Sequence, residues 1–377
     1  MPTTSASSVS STACEPPVQS PAPSDAPTPP LLKVDPVPPA QRSLTPARRR
    51  PLRSRRLLGA TLGTLLLASS LAACGSDETA AGSGASTLDA VEVSGEVGAT
   101  PEISITEEMT AGDQDTETLV EGDGVELGDG DQVIVNFWLG NGYNQEPVES
   151  SYKPKTVAVL ATVGGTDQQP QTLDDVIGTA AANLVEPGTT VGSRVATVGS
   201  PQDVLGLPGL PDLGIGNMDP VVLVVDLEQE PLSAPSGQKV DAPAWVPTLE
   251  SADGTPTAWD FSGTPEPTDQ LRSFATVVGD GPEVAEGDLL VVDYLGQVYG
   301  GKEPFDDSYS RGEPVGFGIG VGRVIQGWDR ALVGQTVGSR VVLAIPPRLG
   351  YGEQGSPQAG IEGTDTLYFV VDVLGAA

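Results

Sequence analysis

One sequence pattern occurs twice in this chain, and this repetition limits the possible folds more than any other feature. The motif Val191-Gly-Ser-Arg194 recurs as Val337-Gly-Ser-Arg340, and the Gly-Asp-Gly motif that begins at Gly122 recurs at Gly279. The two separations are 146 and 157 residues, and their difference indicates loop insertions in the first copy. Self-similarity on this scale predicts two copies of one domain in tandem.

Each copy contains short apolar runs, rich in β-branched residues, between turns of Gly, Pro and Asp. In the second copy these runs are Leu289–Tyr294, Arg340–Ile345 and Leu367–Val373, with a single helical run at Trp328–Val333. The pattern predicts an α+β fold in which an antiparallel sheet packs on a short helix. The predicted boundaries are 91–230 for the first copy, 231–246 for the linker and 247–377 for the second copy.

The composition excludes several classes of site. The chain of 377 residues has no histidine, and its two cysteines are Cys14 and Cys74. This excludes Ser-His-Asp catalysis, His-ligated zinc and a disulfide framework, so we predict no metal and no cofactor. With 19 basic and 51 acidic residues the net charge is -32, which repels phosphate backbones and argues against nucleic-acid binding.

The N-terminus has the pattern of an export signal. Residues 1–56 are rich in Pro, Ser and Thr and end in a basic stretch, and the apolar run Leu57–Leu71 follows. The sequence Leu71-Ala-Ala-Cys74 resembles a bacterial lipobox, in which the cysteine receives a diacylglycerol. We therefore predict a disordered leader and lipoprotein signal peptide at 1–73, a flexible tether at 74–90 and a lipid anchor on the outer face of the cell membrane. A free cysteine near a cleaved signal is the alternative, and the export route, general or twin-arginine, stays open.

The second copy also places aromatic residues in loops rich in Gly and Pro. Such residues have little folding reason to lie in exposed loops unless they line a pocket. In chain order, the motifs are Tyr294, Phe305-Asp306, Arg311, Phe317, Val324-Ile325-Gln-Gly-Trp328, Pro347-Arg-Leu-Gly-Tyr351-Gly352 and Phe369. Together they closely resemble the motifs of FKBP-type peptidyl-prolyl cis-trans isomerases, which have a sheet half-wrapped around a helix.

The resemblance implies a set of catalytic roles. Trp328 forms the floor of a pocket for the prolyl ring, and the backbone N–H of Ile325 and the hydroxyl of Tyr351 donate to substrate carbonyls. Asp306 lies near the twisting amide and is held by Tyr294 and Arg311. A carboxylate in an apolar site needs such partners, because burial otherwise raises its pKa.

The same resemblance implies a set of substrate-binding residues. They are Phe305, Arg311, Val315, Phe317, Val324, Ile361 and Phe369. Val315 stands where the family usually has an aromatic wall, and Ser356 stands in a flap loop where many members have His. Both departures affect which substrates the site prefers.

Isomerisation of an X-Pro bond needs no nucleophile or metal. The barrier comes from amide resonance, about 18–20 kcal/mol in general and somewhat less before Pro. A thousandfold acceleration requires only about 4 kcal/mol. Because the planar amide is the more polar form, a dry aromatic pocket favours the twisted amide relative to water.

The first copy has lost most of these side chains. The tyrosine position falls on Phe137, or on Trp138 if the insertion is placed differently, and Ala180 takes the place of the tryptophan. The remaining positions read Val148-Glu149, Pro154 and Leu205-Gly206. We predict that this copy is not an isomerase, and that it either binds apolar segments of clients or spaces the second copy from the membrane.

These observations lead to a functional prediction. We expect a peptidyl-prolyl isomerase that assists the folding of proline-containing exported polypeptides and binds the macrolides rapamycin and tacrolimus. The alternative is a non-enzymatic chaperone or scaffold built on FKBP-like domains. A solute-binding lipoprotein is a poor fit, because neither copy shows alternating βα units.

Overall fold

Two large antiparallel β-sheets, each packed on one face against a helix, form the centre of the described part of the chain. The structure is a computed structural model that describes residues 87–165 and 169–377. The predicted leader, the lipidation site Cys74 and most of the predicted tether lie outside these ranges. Within them, no helix is both long and apolar enough to cross a lipid bilayer. We call the described residues up to 230 the first half, and residues 231–377 the second half.

The first half contains a hairpin, a six-stranded sheet and two helices. The hairpin strands are β1 (Val91–Ser94) and β2 (Glu102–Ile105). The sheet strands are β3 (Asp115–Val120), β4 (Gln132–Asn141), β5 (Glu146–Ser150), β6 (Val159–Thr162), β7 (Arg194–Gly199) and β8 (Val221–Gln229). The helices are α1 (Leu173–Leu184) and α2 (Pro201–Leu205). The sheet order is β3-β7-β8-β4-β5, and β6 also pairs with β4.

The second half contains a hairpin, a seven-stranded sheet and one α-helix. The hairpin strands are β10 (Thr248–Ala252) and β11 (Thr255–Asp260). The sheet strands are β9 (Gly237–Lys239), β12 (Arg272–Gly279), β13 (Leu289–Val298), β14 (Asp306–Asp307), β15 (Val315–Gly318), β16 (Arg340–Ile345) and β17 (Leu367–Ala376). The helix is α3 (Gln326–Leu332). The sheet order is β14-β13-β17-β16-β12-β9, and β15 also pairs with β13.

The two sheets have matching strand orders. The order β3-β7-β8-β4-β5 corresponds to β12-β16-β17-β13-β14, and β6 pairs with β4 as β15 pairs with β13. The registers also agree, since Phe137 is opposite Val225 in the first half and Tyr294 is opposite Val371 in the second. The antiparallel sheets and few helices confirm the predicted α+β class.

Two segments differ from the sequence predictions. The predicted linker at 231–246 contains β9, which pairs with the edge of β12 through Val277–Gly279. The described residues of the first half have two α-helices where the sequence predicted one, because Ser200 caps a further turn, α2, with Pro201 at its first position. Both elements are short and lack the apolar periodicity by which longer elements are recognised.

Each sheet is covered on both faces. The inner face packs against the helix, and the outer face packs against the hairpin at the start of that half. In the second half, Trp259 of β11 is buried on the outer face against Leu295, Val342 and Tyr368. The hairpins therefore occupy the outer faces and leave the inner faces to form any site beside the helices.

A polar network centred on a buried aspartate lies behind each sheet. In the second half, Arg340 donates two hydrogen bonds of 2.6 Å to Asp372, and the Tyr309 hydroxyl donates to the same carboxylate at 2.9 Å. Burial and the charge of Asp372 raise the pKa of Tyr309. The corresponding residues of the first half are Arg194, Asp226 and Tyr152. The arginine of the repeated Val-Gly-Ser-Arg motif is thus part of the framework, where removing one partner of such a pair is costly.

Candidate active site

Three aromatic rings stand nearly perpendicular to the indole of Trp328 at the inner face of the second sheet. Their centroids lie 5.3 Å away for Tyr294, 5.6 Å for Phe317 and 5.4 Å for Phe369, at interplanar angles of 84–88°. Trp328 is only 4% exposed, and its Nε1 has no hydrogen-bond partner among the described residues. The indole therefore contributes an apolar ring surface enclosed by perpendicular rings, a packing that aromatic side chains favour.

Two glycines allow this cluster to form. A Cβ atom at Gly327 would lie 2.5 Å from the Ile345 side chain, so only glycine lets the start of α3 approach β16 this closely. A Cβ atom at Gly296 would lie 2.6 Å from the ring of Phe369 and 2.7 Å from that of Phe305. Gly296 thus leaves room for two aromatic rings to lie over strand β13.

The predicted site residues form a buried floor and a more accessible rim. We define the floor as Tyr294, Trp328 and Phe369, which are all buried. We define the rim as Phe305, Val315, Phe317, Val324, Ile325 and Tyr351, which are all partly buried and pack against the same core. Ile361 belongs to this core too, but it is buried beneath the rim. The structure therefore brings the predicted apolar residues together in one place.

A polar group lies beside the floor. The Tyr294 hydroxyl donates a hydrogen bond to Asp306, and Arg311 donates to the other oxygen of that carboxylate at 3.1 Å. Arg311 also donates to the Tyr294 hydroxyl at 3.3 Å, with its guanidinium over the tyrosine ring. Burial and the nearby charge of Asp306 raise the pKa of Tyr294, so this hydroxyl stays protonated. The Asp306 side chain is 41% exposed, which leaves the carboxylate accessible from solvent.

Two donors remain without a partner at the rim. Ile325 is the N-cap residue of α3, and its backbone N–H has no acceptor among the described residues. The hydroxyl of Tyr351 likewise forms no hydrogen bond with any residue that the structure describes. Burial, with the charge of Asp306 as a second cause, raises the pKa of Tyr351 and keeps it a donor. Both groups can bind carbonyl oxygens of an incoming ligand.

The first half has other residues at the equivalent places. Phe137, not Trp138, takes the place of Tyr294, because its N–H and C=O bond to Ser151 as those of Tyr294 bond to Ser308. Leu139 takes the place of Gly296, Glu149 that of Asp306, and Ala180 that of Trp328. Leu205 takes the place of Tyr351, Ile215 that of Ile361, and Leu223 that of Phe369. Apart from Glu149, all of these replacements are buried apolar residues.

The helix of the first half also begins earlier. By the offset that relates Val176-Ile177 to Val324-Ile325, α1 starts five residues before the position where α3 starts. Ile177 therefore lies within α1, where its N–H is placed to bond to Leu173, whereas Ile325 precedes its helix. The first half thus offers no equivalent of the Ile325 donor.

Two residues of the site, Gly296 and Ser308, did not follow from the sequence patterns as site residues. Gly296 makes room for the rings, and the hydroxyl of Ser308 accepts from the Tyr294 N–H at 2.9 Å and donates to Asp293 at 2.7 Å. Ser308 closes the Phe-Asp-Asp-Ser motif, so its presence there was a signal. Gly296 is recognised only from the strand register that places it opposite Phe369, and the sequence does not reveal that register.

Comparison with known proteins assigns the chain that carries this site to a protein family. The family model of FKBP-type peptidyl-prolyl cis-trans isomerases matches residues 281–374, which include every predicted catalytic and substrate-binding residue. An "FK506-binding protein" of Streptomyces anulatus is 40% identical over 115 residues, which are 30% of this chain and 92% of that protein. The chain belongs to the FKBP-type peptidyl-prolyl cis-trans isomerases.

Other FKBP relatives match the same share of the chain. The chloroplastic isomerase FKBP13 of Arabidopsis thaliana is 38% identical over 131 residues, which are 32% of this chain and 61% of that protein. Among solved structures, AtFKBP13 is 38% identical and covers 28% of this chain and 93% of its own, with a TM-score of 0.27. FkpA from Escherichia coli is also 38% identical and covers 28% of this chain and 47% of its own, with a TM-score of 0.26. The FKBP match thus accounts for less than a third of the chain.

Proposed function

We propose that the second half carries the isomerase activity and that the first half is not catalytic. The observation that carries this proposal is the indole of Trp328, enclosed by three perpendicular rings and bordered by an accessible carboxylate. The rim adds two donors without partners, Ile325 N–H and Tyr351 hydroxyl. These features together fit an extended peptide whose proline ring enters an apolar enclosure.

The proposed mechanism uses only binding and polarity. The prolyl ring lies on Trp328, while Ile325 N–H and the Tyr351 hydroxyl bind carbonyls on either side of the bond that rotates. The enclosure removes water, which otherwise favours the planar and more polar amide. The carboxylate of Asp306, held by Tyr294 and Arg311, lies beside the twisting amide. Interactions that strengthen as the amide twists lower the barrier.

The lack of catalysis in the first half is supported by its filled inner face. Leu139 and Leu223 replace Gly296 and Phe369, and the small Ala180 replaces the tryptophan. Buried aliphatic side chains leave no aromatic enclosure there for a prolyl ring. Of the two roles predicted for the first half, this favours spacing of the second copy from the membrane over binding of client segments at that face.

The wider role of the protein is also part of the proposal. We propose that Cys74 carries a lipid anchor at the outer face of the cell membrane and that the clients are proline-containing exported polypeptides. The support is the sequence around Cys74, which lies outside the described residues. Mass spectrometry of the mature N-terminus should find a diacylglyceryl cysteine at position 74. An unmodified Cys74 in the exported protein would contradict the anchor.

Macrolide binding belongs to the same site. Several relatives are named as FK506-binding proteins, and the floor of Trp328, Tyr294 and Phe369 presents apolar rings on which such a ligand can rest. We propose that tacrolimus and rapamycin compete with peptides for this floor. Val315, an aliphatic residue in the rim, lowers the aromatic contact area available to them. Competitive inhibition of isomerase activity by tacrolimus is expected, and noncompetitive inhibition would place the drug elsewhere.

The decisive experiment measures isomerisation of a proline-containing peptide by the full chain. Tyr351→Phe removes one donor from the rim and should lower kcat/KM about three- to tenfold, the typical contribution of one hydrogen bond. Tyr299→Phe is the matched control, because Tyr299 lies on the outer face with its hydroxyl bonded to Thr264. If the wild-type chain shows no activity, the alternative of a chaperone or scaffold replaces the catalytic proposal.

A further inference from the structure

One side of the prolyl site lies against the first half of the chain. Strand β15 provides Val315 and Phe317 to the rim, and the segment that follows provides Val324 and Ile325. We call residues 315–325 the supported wall. The opposite side of the site, with Asp306, Tyr294 and Arg311, has no hydrogen bond or ion pair to the first half among the described residues.

Apolar residues of the first half pack behind this wall. A Cβ atom built at Gly318 would lie 3.0 Å from the side chain of Val157, and one at Gly316 would lie 3.6 Å from Leu160. Val157 and Leu160 pack together with Leu289 of β13 in one cluster. The remaining members of this cluster are Ile134, Ala158, Val291, Val321 and Ala377. The interface thus contains residues from both sheets, and it continues directly into β15.

One polar contact joins the wall itself to the first half, and a second joins the residue just before the wall. Asp174, in the first turn of α1, forms an ion pair with Arg323. Gln132 donates a hydrogen bond of 3.4 Å to the carbonyl of Pro314, next to Val315. Arg323 directly precedes Val324 and Ile325, so the ion pair holds the segment that carries the Ile325 donor.

The ion pair depends on the extra length of α1. At equivalent positions α1 begins five residues earlier than α3, and these five additional residues include Leu173 and Asp174. A capping box between Thr172 and Asp175 stabilises this extension, because each residue bonds to the backbone of the other. The same extension that places Ile177 inside a helix therefore places Asp174 against Arg323.

We propose that the first half is a positioning element that holds the supported wall of the prolyl site in its binding geometry. This inference rests on the proposed function, because it concerns the same site. Asp174 acts through Arg323 on Ile325, and Val157 with Leu160 acts on β15. A donor that must meet a substrate carbonyl loses effect when it is displaced by as little as about 1 Å. The first half thus contributes to activity without touching the substrate.

The test is a charge exchange in the full chain. Asp174→Arg and Arg323→Asp each place two like charges together, and each should lower kcat/KM for a proline peptide about two- to fivefold, mainly through a higher KM. The double variant restores the pair with reversed polarity, and its kcat/KM should return to within about twofold of the wild type. Glu117→Arg is the control, because it makes the same change of charge as Asp174→Arg. Glu117 lies on β3, at the edge of the first sheet away from β6, so this variant should leave KM unchanged.

Hydrogen exchange supplies a readout that does not depend on catalysis. In each single variant the amides of residues 315–325 should exchange faster than in the wild type, while those of β16 and β17 should not change. Single variants that behave like Glu117→Arg in both measurements would overturn the proposal, as would a double variant no better than the singles. An inactive wild-type chain would instead refute the proposed function, and the exchange result would still decide this inference.

Discussion

The two halves of the described chain share a framework and differ at one face. Both have the same strand order, a hairpin over the outer face, and a network behind the sheet in which an arginine and a tyrosine bond to a buried aspartate. At the inner face, the second half has a cluster of aromatic rings around Trp328, while the first half has mainly aliphatic side chains packed closely together. The shared framework therefore forms with either set of side chains at the inner face, and it does not depend on the aromatic residues of the site.

The difference between the linings comes from a few substitutions. Where Gly296 gives space to Phe369, the first half has Leu139 opposite Leu223, and these two side chains occupy the volume that the rings would need. Where Trp328 begins a short helix, Ala180 lies inside a longer one. In the first half the absence of the aromatic floor and the longer helix thus occur together, and the longer helix supplies one contact with the second half, the ion pair of Asp174 with Arg323.

The largest expected effect concerns the floor. Trp328→Leu keeps an apolar side chain but removes the ring on which we propose that the proline rests, and we expect kcat/KM to fall about 30-fold, which corresponds to about 2 kcal/mol. Trp138→Leu is the matched control, because it removes an indole from the outer face of the first half. Peptide isomerisation and circular dichroism should show full activity for the control and a folded chain for both variants. Equal activity of the two variants would mean that the floor is not at Trp328.

A smaller effect on activity is expected when a residue of the second half is replaced by its equivalent in the first half. Tyr294→Phe reproduces Phe137 and removes the hydroxyl that donates to Asp306. We expect kcat/KM to fall about tenfold, because the carboxylate loses one of its two side-chain partners. The unfolding free energy should change little, since Phe137 makes the same backbone hydrogen bonds at its own position. Unchanged activity would show that the Asp306 hydrogen bond has no role in catalysis.

The smallest effect is a change in stability at Asp293, whose equivalent in the first half is Asn136. Asp293 and Asn136 occupy equivalent positions, and each accepts a hydrogen bond of 2.7 Å from a serine hydroxyl. Burial is the main cause that raises the pKa of Asp293, so its folded form loses stability as pH rises from about 4 through that pKa. Asp293→Asn removes this loss while keeping the acceptor.

The expected gain in unfolding free energy is about 0.5 kcal/mol at pH 7, because solvent screens this partly buried group. Denaturant unfolding at pH 4 and pH 7 measures it, and the advantage of the variant should be smaller at pH 4. A gain that is the same at both pH values would show that the charge of Asp293 is not its cause.

Much of this fold follows from the sequence where local patterns are strong. The strand Arg340–Ile345 has the predicted limits, because it is a continuous apolar run that ends at a proline pair. Strand β13 continues beyond the predicted end at Tyr294 to Val298, through Gly296 and Gln297. Gln297 is buried because its side chain bonds to the backbone of Trp259, and no local pattern reveals such a distant partner.

The site follows from the sequence only in part, for a related reason. The order of aromatic and polar motifs identified the residues that the fold brings together around Trp328. The contact between Asp174 and Arg323 joins residues 149 positions apart in different repeats. A single sequence carries no signal for such a pair, because either side chain alone has the ordinary pattern of a solvated charge.

The most direct test of the account compares one position in both halves. Asp306→Ala and Glu149→Ala remove the equivalent carboxylates from the full chain, and kcat/KM for a proline peptide is measured for each. The account predicts a loss of at least about tenfold for Asp306→Ala and a change of less than about twofold for Glu149→Ala. Similar losses for both variants, or a loss confined to Glu149→Ala, would contradict the assignment of the active site to the second half.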